Sequence, residues 1–515
     1  MTQRSTISQI LVNMGSGWLA SAIQMAISLA LVPFLFLHLG KDGYGLIGIL
    51  GVITSLTAVA DLGLRTALGR ELAEHVAKRD KQAYSEIAST AFATYLSLAT
   101  VFSVILYLIA PWLVVTVKIP EYLQPVALNL LRIYGVWSII LSFIMPTFTA
   151  GLASHHRYDV INGVQIANSI VSSLLLFALI GHVKQPLYGW MLVVMGMSLV
   201  SAVATLLFFF KVFSANPIHL EHVSIHRLRS LLNLGGKMYA LQLTNILAER
   251  SDPLIISYFL GPTGVALYQT GQKLSQSLRP IVLSFVEQIE PITTRSHVIN
   301  RQDQQQKILI YGTKFTLLLG SLVASGIISL AYPFCNLWLG NSLGNDTMVV
   351  AKIMILWACA DLITYAAGSQ FPILLGMKKL NFLIWTLLPT AVLNIALSIY
   401  FVGFTSLGLS SVLYSTIIIN LIRRPILMWH TANQCGLTFR IYFIQAYARP
   451  LACFTITLLC GLAISDVVSS WHSLMMAAVG ICLLWLAACL CIGLNKEERL
   501  IIKMQIFSLR RNNQR

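Results

Sequence analysis

Apolar residues in this chain run in blocks of about twenty or more, separated by short polar breaks. Blocks of that length predict membrane-spanning helices. The strands of a membrane barrel would instead be about ten residues long with an alternating pattern. The blocks fall near 11–38, 44–69, 87–115, 125–152, 160–181, 187–211, 231–260, 264–289, 308–334, 349–375, 380–403, 406–430, 444–464 and 472–494. That makes about fourteen spans and an all-α polytopic membrane protein.

The polar breaks are not equivalent. One set holds Arg70, Lys78, Arg79 and Lys81, then Arg157, then Lys211, Arg227 and Arg229. It continues with Arg295, Arg301 and Lys307, then Lys378 and Lys379, then Arg423, Arg424 and Arg440, and the basic tail from Lys496. The alternate breaks hold little beyond Lys41, Lys118 and Lys184. Basic residues favour the cytoplasmic side, so both termini are expected there. The tail is expected either along anionic lipid or simply in water.

Composition agrees. Hydrophobic residues make up 57% of the 515 and charged residues 10%, against roughly a quarter charged in soluble domains. The net charge of +16 is read as membrane topology, and no nucleic-acid partner is expected. The eight cysteines form no CxxC or Cys/His pattern, so no metal site is expected. No phosphate loop or HExxH occurs, and no GxSxG nucleophile elbow is expected. No extramembrane segment exceeds roughly twenty residues, too short for an independent catalytic domain. The chain is therefore expected to be no enzyme and to use no cofactor.

The chain also repeats. At a shift of 220 positions Asn13 and Gly15 fall on Asn233 and Gly235, Pro33 on Pro253, Arg132 on Lys352 and Trp137 on Trp357. At 221, Leu39, Gly40 and Gly43 fall on Leu260, Gly261 and Gly264. Six spans separate the copies, so both start from the same side, which is a parallel repeat. The expected parts are a six-helix lobe over 1–225, a second over 226–435, and two additional helices with a tail over 436–515. Repeat-built transporters bind substrate between the halves near mid-membrane.

Span 7 is the most unusual segment. Leu241–Leu260 is long and apolar enough to cross a bilayer, yet holds Glu249, Arg250 and Asp252. A charge at membrane depth costs several kcal/mol unless paired or hydrated. On a helical wheel Gln242, Asn245, Glu249 and Asp252 share one arc. In span 8, Gln269, Gln272, Lys273, Gln276 and Arg279 share a face. Such stripes form either a wet cavity wall or polar glue between helices. Glu249, Arg250 and Lys273 fall about 15 Å from the outer surface, so Lys273 is a candidate partner of Glu249. Pro253 lacks an N–H and predicts a bend, with a matching one at Pro33.

In span 2, Asp61 and Arg65 stand i, i+4 and are expected either to pair or to face a lumen. Arg132 and Lys352 near the outer surface either snorkel or line the pathway. Lys314 is expected to snorkel to the inner surface. Asp361 lies near mid-depth and is a candidate proton or cation site.

The stretches NMGSGWLASAIQMAISLALVPFLFLHLGKDGYGLIGIL, DLGLRTALGRELA and ERSDPLIISYFLGPTGVALYQTGQKL carry a family likeness. With them the chain resembles the bacterial oligosaccharide flippases, the Wzx-type polysaccharide exporters of the multidrug/oligosaccharidyl-lipid/polysaccharide exporter superfamily. The resemblance implies two six-helix lobes around a central cavity, with two extra helices. It implies transfer of an undecaprenyl-diphosphate-linked oligosaccharide, such as an O-antigen repeat unit, across the bacterial inner membrane by alternating access. Cations would then hold the diphosphate: Arg65, Arg250, Lys273 and Arg279, with Arg132 and Lys352 near the exit. Gln242, Asn245, Gln269 and Gln276 would meet sugar hydroxyls. Asp61, Glu249, Asp252 and Asp361 would balance charge or carry a coupling proton or sodium ion. Expected partners are the lipid-linked oligosaccharide, membrane lipid, a polysaccharide polymerase and a chain-length regulator. The alternatives are a cation-coupled multidrug exporter of the same superfamily and a non-transporting scaffold of a glycan-synthesis complex.

Overall fold

The computed structural model describes residues 3–61, 63–212, 218–299, 301–495 and 498–499. Side chains are described from Ile23 onward except at a few positions between 220 and 249, Asn245 and Glu249 among them. The expected roles of Asn245 and Glu249, and the Glu249–Lys273 pairing, therefore lie outside the described residues, as do the Asn13 side chain and most of the basic tail. The described chain is helical, without strands. It separates into two compact units, Met1–Gln269 with Leu387–Leu409, and Thr270–Thr386 with Ser410–Arg515.

Eleven helical segments among the described residues are long and apolar enough to cross a membrane. Two features separate this number from the expected fourteen. Ile23–Ala60 counts once although it reverses at Gly40, and the charged helix Ile225–Val286 is not among the eleven.

The first unit contains α1 (Gln3–Ser55), α2 (Leu64–Lys78), α3 (Lys81–Thr116), α4 (Val136–Ser154), α5 (Tyr158–Leu179) and α6 (Pro186–Val212). It also holds α7 (Ile225–Val286) as far as Gln269. α4 packs on α2, α3 and α6, and α5 on α1 and α6. An aromatic contact of Phe148 with Phe209 at 5.1 Å sits in the core with Leu152 and Val160. Val101, Val104, Leu108, Trp112 and Val115 form an exposed apolar stripe at helical spacing on α3. Such a stripe suits acyl chains rather than water.

α1 and α7 each join two helices across a single glycine. Gly40 has φ 69° and ψ 177°, and Gly261 has φ 72° and ψ −171°. Residues bearing a Cβ avoid this region, so glycine is the residue both turns require. The two positions are the ones matched by the repeat, and they share a backbone state as well as a residue type. Pro33 and Pro253 keep helical torsions, and the non-helical residue of each helix pair is the glycine.

The segment leading into α7 is clasped to the first turns of α3. Arg227 pairs with Glu86 at 3.1 Å. Ser85 Oγ meets His222 Nδ1 at 2.8 Å, and the His219 and Ser224 amides donate to Ser89 and Thr90 hydroxyls at 2.9 and 3.0 Å.

In the second unit, α8 (Gln302–Leu343) and α9 (Asp346–Ala366) precede α10 (Ser411–Gln434), α11 (Phe439–Ala446), α12 (Ala448–Ser465) and α13 (Trp471–Ala488). α8 is the axis, with α9, α12 and α13 packed on it. The C-terminal pair of helices is thus built onto the unit: the Trp485 indole donates to the Leu318 carbonyl at 3.2 Å, and Leu330 meets Leu474, Ala477 and Ile481. A buried polar knot joins Thr313 to the Tyr442 hydroxyl at 2.6 Å, and Tyr447 to the Ala366 carbonyl at 2.6 Å. Lys314 does not snorkel. It is buried, and its ammonium donates to both oxygens of Glu498 at 2.8 and 2.6 Å.

Candidate functional site

Within the first unit, a cavity of about 640 Å³ opens between the second half of α1, the start of α2, the first half of α4, and α7. Thr54, Ser55 and Thr57 line one wall, and Asp61, Arg65 and Thr66 the next. Tyr134, Ser138 and Ser142 lie on a third, and Gln242, Ile246 and Arg250 on the fourth. Two guanidiniums and many hydroxyls thus face one space.

The chain around Asp61 explains the second wall. The helix expected over 44–69 is broken: Thr57–Ala60 forms one turn, Gly63 takes φ 75°, and α2 starts at Leu64. Asp61 and Arg65 are therefore not i, i+4 neighbours on one helix, and their side chains do not pair. Asp61 Oδ2 accepts the backbone N–H of Arg65 at 3.2 Å, capping the first turn of α2. Its Oδ1 accepts the hydroxyl of the fully buried Tyr95 at 2.8 Å. Both oxygens being held, the Arg65 guanidinium turns instead to the Ser142 carbonyl, 3.3 Å away.

On α7 the lining residues are Gln242, Ile246 and Arg250, spaced i, i+4, i+8. The Gln242 amide also donates to Thr66 at 3.0 Å. The wet face is thus rotated from the arc read off the sequence. Asp252, about 200° around the helix from Arg250, points away from the cavity. It is 2% exposed, and its Oδ2 accepts the Tyr268 hydroxyl at 2.7 Å. Gln269 is glue rather than cavity wall, its amide donating to the Gly48 carbonyl at 3.3 Å.

Other expected site residues lie elsewhere. Arg132 is half-buried on a π-helical turn, its guanidinium 4.7 Å from the Tyr107 ring centroid, and it does not line the cavity. In the second unit, Lys352 is exposed on α9, Gln276 is exposed, Lys273 is half-buried and Asp361 is buried. The charges of Asp361 and Arg279 both act on buried Tyr365. Arg423 and Arg424, read as loop charges from the sequence, stand mid-way along α10 instead.

Two features escaped the sequence reading. Tyr134, Ser138 and Ser142 repeat at i, i+4, i+8, a signal present in the chain but diluted by its many apolar neighbours. The contact between the two glycine turns was not legible at all. There the glycine turns of α1 and α7 meet: Asp42 accepts the Thr263 hydroxyl and, at 2.9 Å, the Tyr122 hydroxyl. Lys118 donates to the Phe259 carbonyl at 3.3 Å, and Gly45 lies against the Pro262 carbonyl.

The profile of a family described as polysaccharide biosynthesis protein matches residues 38–345, more than half the chain. The chain belongs to the polysaccharide biosynthesis protein family. A search of curated proteins gives no match. Among solved structures, this polysaccharide biosynthesis protein is similar to lipid II flippase MurJ in an inward closed conformation. The TM-score is 0.66 at 14% identity, covering 91% of this chain and 97% of that one. It is equally similar to an inward-facing multidrug resistance MATE family transporter of the MOP superfamily, with TM-score 0.66, 16% identity and 80% and 94% coverage. A MOP superfamily transporter from Pyrococcus furiosus gives 0.58 at 16%, covering 81% and 94%. At such identities the likeness is one of fold. With the family match it bears out the resemblance to flippases and exporters of this superfamily.

Proposed function

We propose that this protein is a flippase of the bacterial inner membrane, with both termini cytoplasmic. It transfers an undecaprenyl-diphosphate-linked oligosaccharide to the periplasmic leaflet by alternating access between two repeat-derived lobes. The observation that carries this reading is the cavity shared by Arg65 and Arg250. A diphosphate cannot enter hydrocarbon unaided, whereas two guanidiniums beside hydroxyl and amide groups can replace its water. The polyprenyl tail needs no such shelter and stays in lipid.

Charge separates this reading from a cation-coupled drug exporter. A site for organic cations calls for carboxylates and aromatic faces. Asp61 is the carboxylate that lines this cavity, and it is occupied by Tyr95 and the Arg65 amide. The name of lipid II flippase MurJ supports a lipid-linked cargo within this fold. Asp252 and Asp361, buried in separate units, remain the proposed carriers of a coupling proton or sodium ion, and Lys273 and Arg279 the proposed cations of the second unit.

In cells that depend on this protein for a surface glycan, Arg65→Gln with Arg250→Gln is expected to lower glycan at least about tenfold at unchanged protein level. One lost charge-assisted contact accounts for about that factor. Normal glycan in the double variant at native expression would remove the cavity from the mechanism. Drug resistance on expression, without a glycan defect on deletion, would favour the exporter.

A further inference from the structure

The second unit holds cationic charge, half-buried on one helix, that the cavity of the first does not use. Arg423 and Arg424 lie 12 and 13 residues into the 24-residue α10, about 18 Å from its start. Arg424 shares a helix face with buried Asn420, Leu427, Met428 and Thr431, so it points into the unit rather than toward lipid. Its Nη2 reaches the Thr364 hydroxyl at 3.4 Å, and Arg423 Nη2 donates to Asn420 Oδ1 at 2.7 Å. The Nε atoms of both are buried without a hydrogen-bond acceptor among the described residues.

The charges that act on Arg424 are Arg423 and Arg279, both of its own sign. Arg279 in turn acts on Tyr365 together with Asp361. Guanidinium does not deprotonate in proteins, and each costs several kcal/mol at membrane depth. Snorkelling does not relieve the cost, because Arg424 faces inward at mid-helix.

We propose that Arg423 and Arg424 form a second anion site, one that takes a phosphate-bearing headgroup. Two adjacent planar forks with open N–H donors match phosphate oxygens, and an incoming dianion would cancel the repulsion between them. Thr364 and Asn420 hold the forks in place from one side and leave the Nε donors to the ligand. The phosphate has two possible sources, a polyprenyl diphosphate cargo or an anionic phospholipid. The first source rests on the proposed function and the second does not.

The test uses the full-length purified protein, with farnesyl diphosphate and dioleoyl phosphatidylglycerol as separate probes and native mass spectrometry as readout. Arg423→Gln with Arg424→Gln is expected to weaken at least one probe about tenfold or more, with an unfolding midpoint no lower than wild type. Loss of farnesyl diphosphate assigns the site to cargo, and loss of phosphatidylglycerol alone assigns it to lipid; either supports the site. Unchanged binding of both probes overturns it, as does failure of the wild type to bind either. If Arg65→Gln with Arg250→Gln loses farnesyl diphosphate while the Arg423/Arg424 variant keeps both probes, the proposed function stands and this site falls. Should the glutamine pair not fold, Arg423→Lys with Arg424→Lys decides. It keeps the charge but not the fork and is expected to weaken binding, so wild-type affinity there also overturns the site.

Discussion

Glu498→Ala is expected to destabilise the protein by about 3–5 kcal/mol, because it strands a buried ammonium. Lys314 is 1% exposed and Glu498 7%, and both carboxylate oxygens accept from Nζ. Removing both charges is a different matter, since a buried ion pair gains little over an apolar pair of similar size. Lys314→Met with Glu498→Leu should therefore recover most of the loss, and thermal unfolding in detergent reads both. A midpoint for Glu498→Ala equal to wild type would show that the pair contributes nothing. The Asn495 amide also donates to Glu498 at 2.6 Å, so part of the cost in either variant is that of a lost turn.

The second large effect is expected from Gly45→Ala. A methyl group at this position would overlap the backbone carbonyl of Pro262, an atom with no side-chain freedom to move aside. Overpacking of this kind costs about 1–3 kcal/mol, here charged to the arrangement in which the two glycine turns touch. The closed tip should lose population by about tenfold. Cysteines placed at Asp42 and Thr263, in a chain lacking its eight native cysteines, report this directly. They should be joined readily by a short thiol crosslinker with Gly45 present and poorly with alanine. Equal crosslinking in both backgrounds would show that the tip tolerates the methyl.

These residues also show what the sequence disclosed. Gly40 and Gly261 were found as a matched pair by letter, and their shared left-handed φ follows because only glycine relaxes there. The long apolar blocks made the helical membrane fold legible, since length and hydropathy are local properties. Errors arose where three dimensions override local pattern. Asp61 and Arg65 were expected either to pair or to face a lumen; Gly63 breaks the helix between them, Asp61 caps the first turn of α2, and both line the cavity without pairing. Asp252 sat on the edge of the polar arc, and packing against Tyr268 turned it inward. Arg423 and Arg424 fell inside the block 406–430 yet were counted with the basic breaks, because a positive charge pattern alone does not tell a loop from a helix interior; α10 continues past both. Lys314 found its partner 184 residues further on, a distance over which no periodicity carries information.

The clasp between α3 and the segment leading into α7 bears on how the chain is made. Ser85, Ser89 and Thr90 are buried, and their partners come from residues 130 or more positions later. A nascent chain that has threaded six spans still carries these hydroxyls and Glu86 uncovered, and it finishes that surface only when Arg227 has left the ribosome. The first half is thus not a self-sufficient module. Expressed alone to residue 212, it would present an open polar notch that only the start of the second half can fill.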